Sequence, residues 1–401
     1  MARGAIIGET SYQGVEMSTI QAFTDFVNDI ENQEGYQPPT CFALGIRRRR
    51  SDTVLDVMFP HIFSQEEHQI AAVVQRITGQ SGTDNVCKSF SQAQLDDMMV
   101  YLIPYLETQS DQQFSNCVRA MFEAKKTGNP YAESEIVAYF LFDKDSKVKT
   151  PEEAYFKLQL LSHRIFKPHD IGLEGLFGAL NNVAWTSHGP MLPEDVAVER
   201  INYQFTSTPL NVSHVDKFPY LVNYHIPSGV RIASGCQVRL GAYLGEGTTV
   251  MPAGYVNFNA GTEGQAMIEG RVSAGVVVGA ETDIGGGASI MGTLSGGNKN
   301  VISIGPKCLL GANSGAGISL GFGCTIAAGL YVYAGMKVSL LDGDGQPIDL
   351  EGNRVEDGEN VFKAQALSGR DTLLFIQDSL TGKVICKPNP KTIELNKELH
   401  A

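Results

Sequence analysis

Between Gly229 and Val338 the chain sets branched aliphatics at a strict interval of six: Ile232, Val238, Leu244, Val250 and Val256. The interval returns at Val272, Val278, Ile284 and Ile290, and again at Leu320, Ile326, Val332 and Val338. Gly, Ala, Ser and Thr fill most positions between them. A helix repeats its apolar positions at about 3.6 residues and a half-buried strand at two, so neither accounts for the pattern. A period of six predicts a parallel β-helix. Each hexad supplies one short strand and one corner, and one aliphatic enters the prism. Three hexads close a coil of roughly 18 residues, which hydrogen-bonds to the next coil. Pairs such as Val278-Gly279, Ile284-Gly285, Ile304-Gly305, Leu310-Gly311 and Leu320-Gly321 suit corners that demand unusual φ or no Cβ. A flexible Gly-rich linker would lack the regular Ile, Leu and Val.

The first 200 residues read as a mixed α/β domain. Gly14–Val27 starts a helix after a short strand. Cys41–Ile46 and Thr53–Phe59 read as strands, and Arg47–Arg50 between them as a solvated loop or an interdomain ion-pair patch. Gln65–Ile77 reads as a helix capped by Ser64, with Glu66 and Glu67 complementing its dipole. Ser91–Leu106 and Asp111–Lys126 read as amphipathic helices. Ser134–Phe142 and Pro151–Ile165 follow, the latter capped by Thr150 with Glu152 and Glu153 in its first turn. Residues 201–228 are a Pro-punctuated passage into the hexads. Thr293–Asn300 breaks the hexad phase and reads as a loop thrown out from a corner. Phe362–Lys387 reads as short strands capping the open end of the coil, which would otherwise aggregate. Thr392–Leu399 reads as a polar tail with a short helix.

At 401 residues more than one domain is expected. The formal net charge of −13 argues against a general nucleic-acid binder, and the four arginines lack interleaved aromatics. The absence of an apolar run of about 18 residues argues against a membrane span. The N-terminus lacks a signal peptide's apolar core, so a cytoplasmic location is expected. Seven scattered cysteines without a CxxC read as free thiols in a reducing compartment. His163 and His169 lack the spacing of a zinc helix and read as core or surface histidines.

Hexapeptide β-helices mostly serve acyltransferases and mostly assemble as trimers, which is a likeness of fold and not of site. The chemistry has to come from residues. Acyl transfer to a hydroxyl often uses a histidine base and a zinc hydratase needs three histidines. Gly229–Val338 contains none, so His188, His214 or His225 would have to be donated from outside. Glu269 lies between an aliphatic run and a glycine, where partial desolvation raises a carboxylate pKa toward that of a useful base. Arg271, two residues on, falls on the same face if the segment is extended. It then either holds a substrate carboxylate or forms a structural ion pair with Glu269, and spacing alone does not choose. Gly285–Gly287 bring backbone N–H groups near a ligand, as an oxyanion needs, or serve only a tight corner, with Ser289 beside them. Leu309–Gly317 is a second wall of small residues, suited to a long thin ligand such as a pantetheine arm.

The segments Val256–Thr262, Glu269-Gly-Arg271, Asp283–Gly297 and Leu310–Gly315 closely resemble the 2,3,4,5-tetrahydropyridine-2,6-dicarboxylate N-succinyltransferases, a family of lysine-biosynthesis enzymes. The resemblance covers about Gly229–Ser379. It implies transfer of succinyl from succinyl-CoA to the amine of the ring-opened dicarboxylate, by a homotrimer with sites between neighbouring coils. It implies Glu269 as the catalytic carboxylate, acting as base or as transient acyl acceptor, and Gly292 as the oxyanion donor. It implies that Arg271, Gly286, Ser289, Ala312, Ala327, Ala328, Gly335, Lys363 and Ser379 contact succinyl-CoA, with Lys363 meeting a phosphate. The sequence departs from one branch of the family twice. The metal-binding Asp and Glu of that branch fall at Cys236 and Ala253, so no metal site is expected. Basic residues at its CoA end fall at Ile376 and Gln377, so phosphate contacts are expected either to be weaker or to come from Arg370 or Lys383.

The expected fold is therefore an α/β N-terminal domain (1–200), a linker (201–228), a catalytic left-handed parallel β-helix (229–340) and a small β C-terminal cap with its tail (341–401). Two rival functions remain: a hexapeptide acyltransferase with another acyl-CoA or an amine or sugar acceptor, and a non-catalytic trimeric scaffold.

Overall fold

The computed structural model describes residues 19–64, 68–108, 112–124, 131–206, 208–292, 301–391 and 395. The chain divides into two compact units, residues 1–157 with 172–217, and residues 158–171 with 218–401.

The first unit holds an antiparallel sheet of β1 (Cys41–Arg50), β2 (Thr53–Met58), β3 (Phe63–Ser64), β4 (Val86–Ser89) and β5 (Glu133–Leu141). Its order is β2-β1-β5-β4, with β3 also paired to β1. Helices α1 (Ile20–Glu31), α2 (Gln69–Thr78), α3 (Gln92–Thr108) and α4 (Gln112–Ala124) belong to this unit. Phe23 and Val27 of α1, Ile70 and Val73 of α2, and Met98 and Leu102 of α3 share one core with Phe42 and Phe140 of the sheet. Ser64 does not cap α2, because its backbone is paired with Cys41 in the ladder. Residues 65–67 lie outside the described residues, and His68 stands at the cap position. At α5 (Pro151–Ser162) the expected cap is made, Thr150 Oγ1 accepting from the Glu153 amide at 3.2 Å.

Arg47–Arg50 are not a loop. They continue β1, and the twofold alternation of a strand sorts their partners. Arg47 meets Glu135 and Glu152 at 2.9 and 2.6 Å, and Arg49 meets Glu133 at 3.2 Å. Arg48 grips the fully buried Asp56 through two bonds of 2.6 and 2.8 Å. Arg50 lies over the Tyr131 ring, 4.6 Å from its centroid. All these partners belong to the first unit, so the ion-pair patch is internal to it.

In the second unit the period of six is realised as parallel strands stacked on three faces. The long face carries Ile232, Val250, Ile268, Ile284, Leu310, Ile326 and Phe375 in successive layers. The second face carries Val256, Val272, Ile290, Ala316 and Val332, and the third Leu244, Thr262, Val278 and Ile304. From Val250 on, these inward residues are almost wholly buried in one core. Thr262 enters the prism too, its hydroxyl satisfied by Thr248 Oγ1 at 2.6 Å. The coil is not a uniform 18 residues. Val250 pairs with Ile268, a step of 18, but Ile268 pairs with Ile284 and Leu310 with Ile326, steps of 16. The shortening falls at the corners Ile268–Val272 and Ala316–Leu320, where inward residues are four apart. That is why the strict spacing breaks between Val256 and Val272. Beyond Ile326 the next strand on the long face is Leu373–Gln377, followed by Val384–Pro388 and Lys337–Leu340.

Candidate functional site

Glu269 stands where the long face turns into the second. The strand Ala266–Ile268 ends, Glu269 and Gly270 turn the corner, and Arg271–Val272 begins the next face. The corner requires glycine at 270, since a Cβ there would stand 2.4 Å from the Ala288 carbonyl oxygen. Glu269 is half-buried, and its backbone is pinned on both sides. Its amide donates to Ile284 at 2.8 Å and its carbonyl accepts from the Gly287 amide at 3.2 Å. Its carboxylate reaches over Gly286 and makes no hydrogen bond or ion pair among the described residues. The corner overturns the expectation that Glu269 and Arg271 share a face. Arg271 is exposed on the second face and donates to Ser289 Oγ at 2.7 Å.

Above Glu269 the same corner recurs in every layer. The register Ile268–Ile284–Leu310–Ile326–Phe375 stacks Glu269, then Gly286, Ala312 and the pair Ala327–Ala328, with the strand that leads to Ser379 above them. At about 4.8 Å per layer, four steps span roughly 19 Å. The column is narrow by composition. Gly311 packs so tightly that a Cβ would meet the Ala328 nitrogen at 2.5 Å. The glycine run beside it is mostly corner-building. The Gly285 amide donates to Leu310 at 2.8 Å and the Gly287 amide to Glu269. Gly287 has φ +72°, and a Cβ on it would lie 2.4 Å from Asn313 Oδ1.

Gly292 is at a different corner, where the second face gives way to the third. It lies against Ala274, whose carbonyl oxygen would be 3.0 Å from a Cβ on Gly292. Ala274 is five residues along the chain from Glu269, a reach of at most about 17 Å. Gly335 and Lys363 gather along this second corner. Gly335 follows the strand Tyr331–Tyr333, and the Ala364 amide next to Lys363 donates to Met336 at 2.8 Å. A single chain therefore divides the expected contact residues between two corners. Glu269, Gly286, Ala312, Ala327, Ala328 and Ser379 fall on one, and Gly292, Gly335 and Lys363 on the other, with Arg271 and Ser289 on the face between. The sequence reading missed Lys337, which is exposed and directly opposite Lys363 in an antiparallel pair. Only the strand register sets these two lysines opposite each other. The phase-breaking loop Thr293–Asn300 lies outside the described residues.

Of the two substitutes for the lost basic residues, Lys383 is in the same turn as Ser379, whose ends are tied by the Asp378 amide donating to Lys383 at 2.9 Å. Arg370 sits before the other end of Leu373–Gln377 and donates to the Leu350 carbonyl at 2.8 Å. The histidines considered as outside donors have other partners. His188 meets the Thr208 carbonyl, His214 the Ser213 hydroxyl, and His225 stacks on His163 at 3.8 Å.

Comparison with known proteins covers more than the coil. Three family profiles match: the N-terminal part of tetrahydrodipicolinate N-succinyltransferase over residues 21–178, its middle part over 180–220, and the hexapeptide repeat of succinyl-transferase over 301–334. A 2,3,4,5-tetrahydropyridine-2,6-dicarboxylate N-succinyltransferase of Vibrio cholerae is 44% identical over 90% of this chain and 98% of its own length. The chain belongs to the tetrahydrodipicolinate N-succinyltransferase family. Its Pseudomonas putida relative of the same name is 43% identical over 90% of this chain and 97% of the relative. A Campylobacter jejuni crystal structure, described as a candidate 2,3,4,5-tetrahydropyridine-2-carboxylate N-succinyltransferase, superposes with a TM-score of 0.81 at 33% identity. It covers 94% of this chain and 99% of that one. Family membership thus reaches into the first 200 residues, where the sequence carried no motif that we could read.

Proposed function

We propose that this protein transfers succinyl from succinyl-CoA to the amine of tetrahydrodipicolinate in its ring-opened form, in the diaminopimelate route to lysine. The curated relatives carry this activity in their names over nearly their whole lengths. The observation that carries the reading to a site is the corner column of Glu269, Gly286, Ala312, Ala327 and Ala328. A wall of small residues about 14 Å long suits a long thin ligand such as a pantetheine arm, with one carboxylate at its lower end.

The amine attacks the thioester carbonyl, a C–N bond forms, the C–S bond breaks and CoA leaves as the thiolate. Glu269 takes the proton that the amine sheds, and the Gly292 amide stabilises the negative charge that develops on the carbonyl oxygen. Arg271 and Ser289 line the face between. Lys363, joined by Lys337, and Lys383 near Ser379 meet CoA phosphates. No divalent metal takes part, because Cys236 and Ala253 offer no hard oxygen ligand.

Within one coil Glu269 and Gly292 stand on different corners, with the face of Arg271 and Ser289 between them, so a single reacting carbonyl does not meet both. Glu269 and Gly292 share a site if the first corner of one coil faces the second corner of its neighbour. A contact of that kind, repeated head to tail, closes as a ring, and a homotrimer of left-handed coils with three sites is the assembly we propose.

The test is thiol release with succinyl-CoA and the cyclic dicarboxylate, against a panel of other acyl-CoA donors and of amine and sugar acceptors. Turnover restricted to the succinyl donor and the dicarboxylate is expected. Preference for another pair would give the site to a different hexapeptide acyltransferase, and thiol release with no pair would leave a scaffold.

A further inference from the structure

The first unit contains a cavity that nothing in the transfer reaction uses. Its volume is about 770 Å³, within the range of small-molecule sites, and its wall includes Arg47, Asn85, Cys87, Tyr139, Lys149 and Glu152. It lies where β4 and β5 meet the N-terminus of α5. Two polar groups on its wall are left without a full set of partners among the described residues. Tyr139 is 1% exposed and its ring packs between Phe59 and Phe156. Its hydroxyl lines the cavity and has no hydrogen-bond partner among the described residues. Burial, then the charge of Glu153, hold that hydroxyl firmly protonated.

Glu152 is the second such group. Its side chain is 9% exposed and one oxygen accepts from Arg47 at 2.6 Å. The other has no partner among the described residues. Arg47 is shared between Glu152 and Glu135, and Glu135 is also paired with Arg49 at 3.3 Å, so the position left open is the second oxygen of Glu152. Glu153, by contrast, is saturated. It accepts from Asn85, Ser146, the Lys149 amide and the buried Lys157 ammonium. The Cys87 thiol stays neutral, its pKa pushed up to about 12 by burial and then by Glu152. At the mouth, Lys149 is exposed and its ammonium has no ion pair among the described residues, whereas Lys147 is held by Glu174 at 3.1 Å. The cavity thus presents a surplus carboxylate oxygen and a hydroxyl inside and a free cation outside.

We propose that this cavity binds a small zwitterion, a free amino acid, with its ammonium against Glu152 and Tyr139 and its carboxylate toward Lys149. An ammonium fills the empty Glu152 oxygen with a charge-assisted bond and gives Tyr139 a neighbour to pair with. Tyr139 and Glu152 are positioned for binding and take no part in succinyl transfer.

Calorimetric titration of the full-length protein with L-lysine and L-alanine, and with butylamine and butyrate as half-ligands, tests this. At least one amino acid is expected to bind saturably below about 10 mM and at least fivefold tighter than either half-ligand. Tyr139→Phe removes one oxygen and no existing bond, so it keeps the fold, and it is expected to weaken that binding at least threefold. Lys149→Ala is expected to weaken the amino acid but not butylamine. The KM for succinyl-CoA stays unchanged in both variants, which keeps this result separate from the fate of the transferase reading. Failure of both amino acids to bind at 10 mM overturns the inference. So does a half-ligand as tight as the amino acid, or binding that neither variant alters.

Discussion

Oε2 of Glu269 lies 3.5 Å from the point where a methyl group on Gly286 would stand. That is ordinary van der Waals contact, and Gly286 has no positive φ. The coil itself therefore tolerates alanine at 286, while the methyl group narrows the ligand's wall beside the carboxylate. Gly286→Ala should raise the KM for succinyl-CoA with little change in melting temperature. The adjacent Gly285 makes the contrast. Its Cβ would meet the Leu310 carbonyl oxygen at 2.6 Å, so Gly285→Ala should destabilise the coil by about 1–3 kcal/mol. Calorimetric melting beside steady-state kinetics separates the two, and equal losses of stability would remove the functional meaning of the column.

Among the described residues Glu269 is hydrogen-bonded to the coil through its backbone alone. Glu269→Gln should therefore leave stability intact and cut kcat by about 10²–10⁴, the usual worth of a positioned base. Single-turnover rates check it, and kcat near wild type would strip Glu269 of its role.

If a site combines Glu269 of one chain with Gly292 of its neighbour, two dead variants should rescue each other. Refolding Glu269→Gln together with Gly292→Val should restore about a quarter of wild-type activity, since random mixing leaves that fraction of sites with both residues intact. No recovery in verified mixed oligomers would put the site within a single chain.

Lys337 and Lys363 face each other as like charges, an unfavourable pair in an unliganded protein. Lys337→Ala should leave the melting temperature unchanged or slightly higher, yet raise the KM for succinyl-CoA about tenfold, the worth of one charge-assisted hydrogen bond. The KM should also lose part of its dependence on salt. A lower melting temperature with unaltered KM would mean the pair serves the fold.

His225 stacks on His163 beside Arg164. Burial, then the positive charge of Arg164, depress its pKa from 6.5 to about 4. The unfolded chain therefore takes up this proton before the folded one does. The contribution is fully present above pH 6.5 and is lost as pH falls toward about 4. Thermal unfolding between pH 7.5 and 4 should show a fall in stability that His225→Gln makes shallower. Identical profiles would assign the acid sensitivity to other groups.

The sequence by itself determined the coil. Placing an aliphatic every sixth residue is a local instruction, and Val250, Ile284 and Ile326 obey it wherever the chain sits, because an inward strand position between tight corners favours a compact apolar side chain. The corner glycines were legible for the same reason. The motif around Glu269 was legible as chemistry, but its relation to Arg271 was not: one corner at Gly270 put them on two faces, and a spacing of two cannot announce a turn. Only the tertiary structure decided what depends on register between distant strands. It set Arg48 on Asp56, paired Lys337 with Lys363, gathered Gly286, Ala312 and Ala328 above Glu269, and left Tyr139 without a partner inside a cavity. Each of these rests on which residue comes to lie opposite which, and that is fixed by the packing of the whole chain.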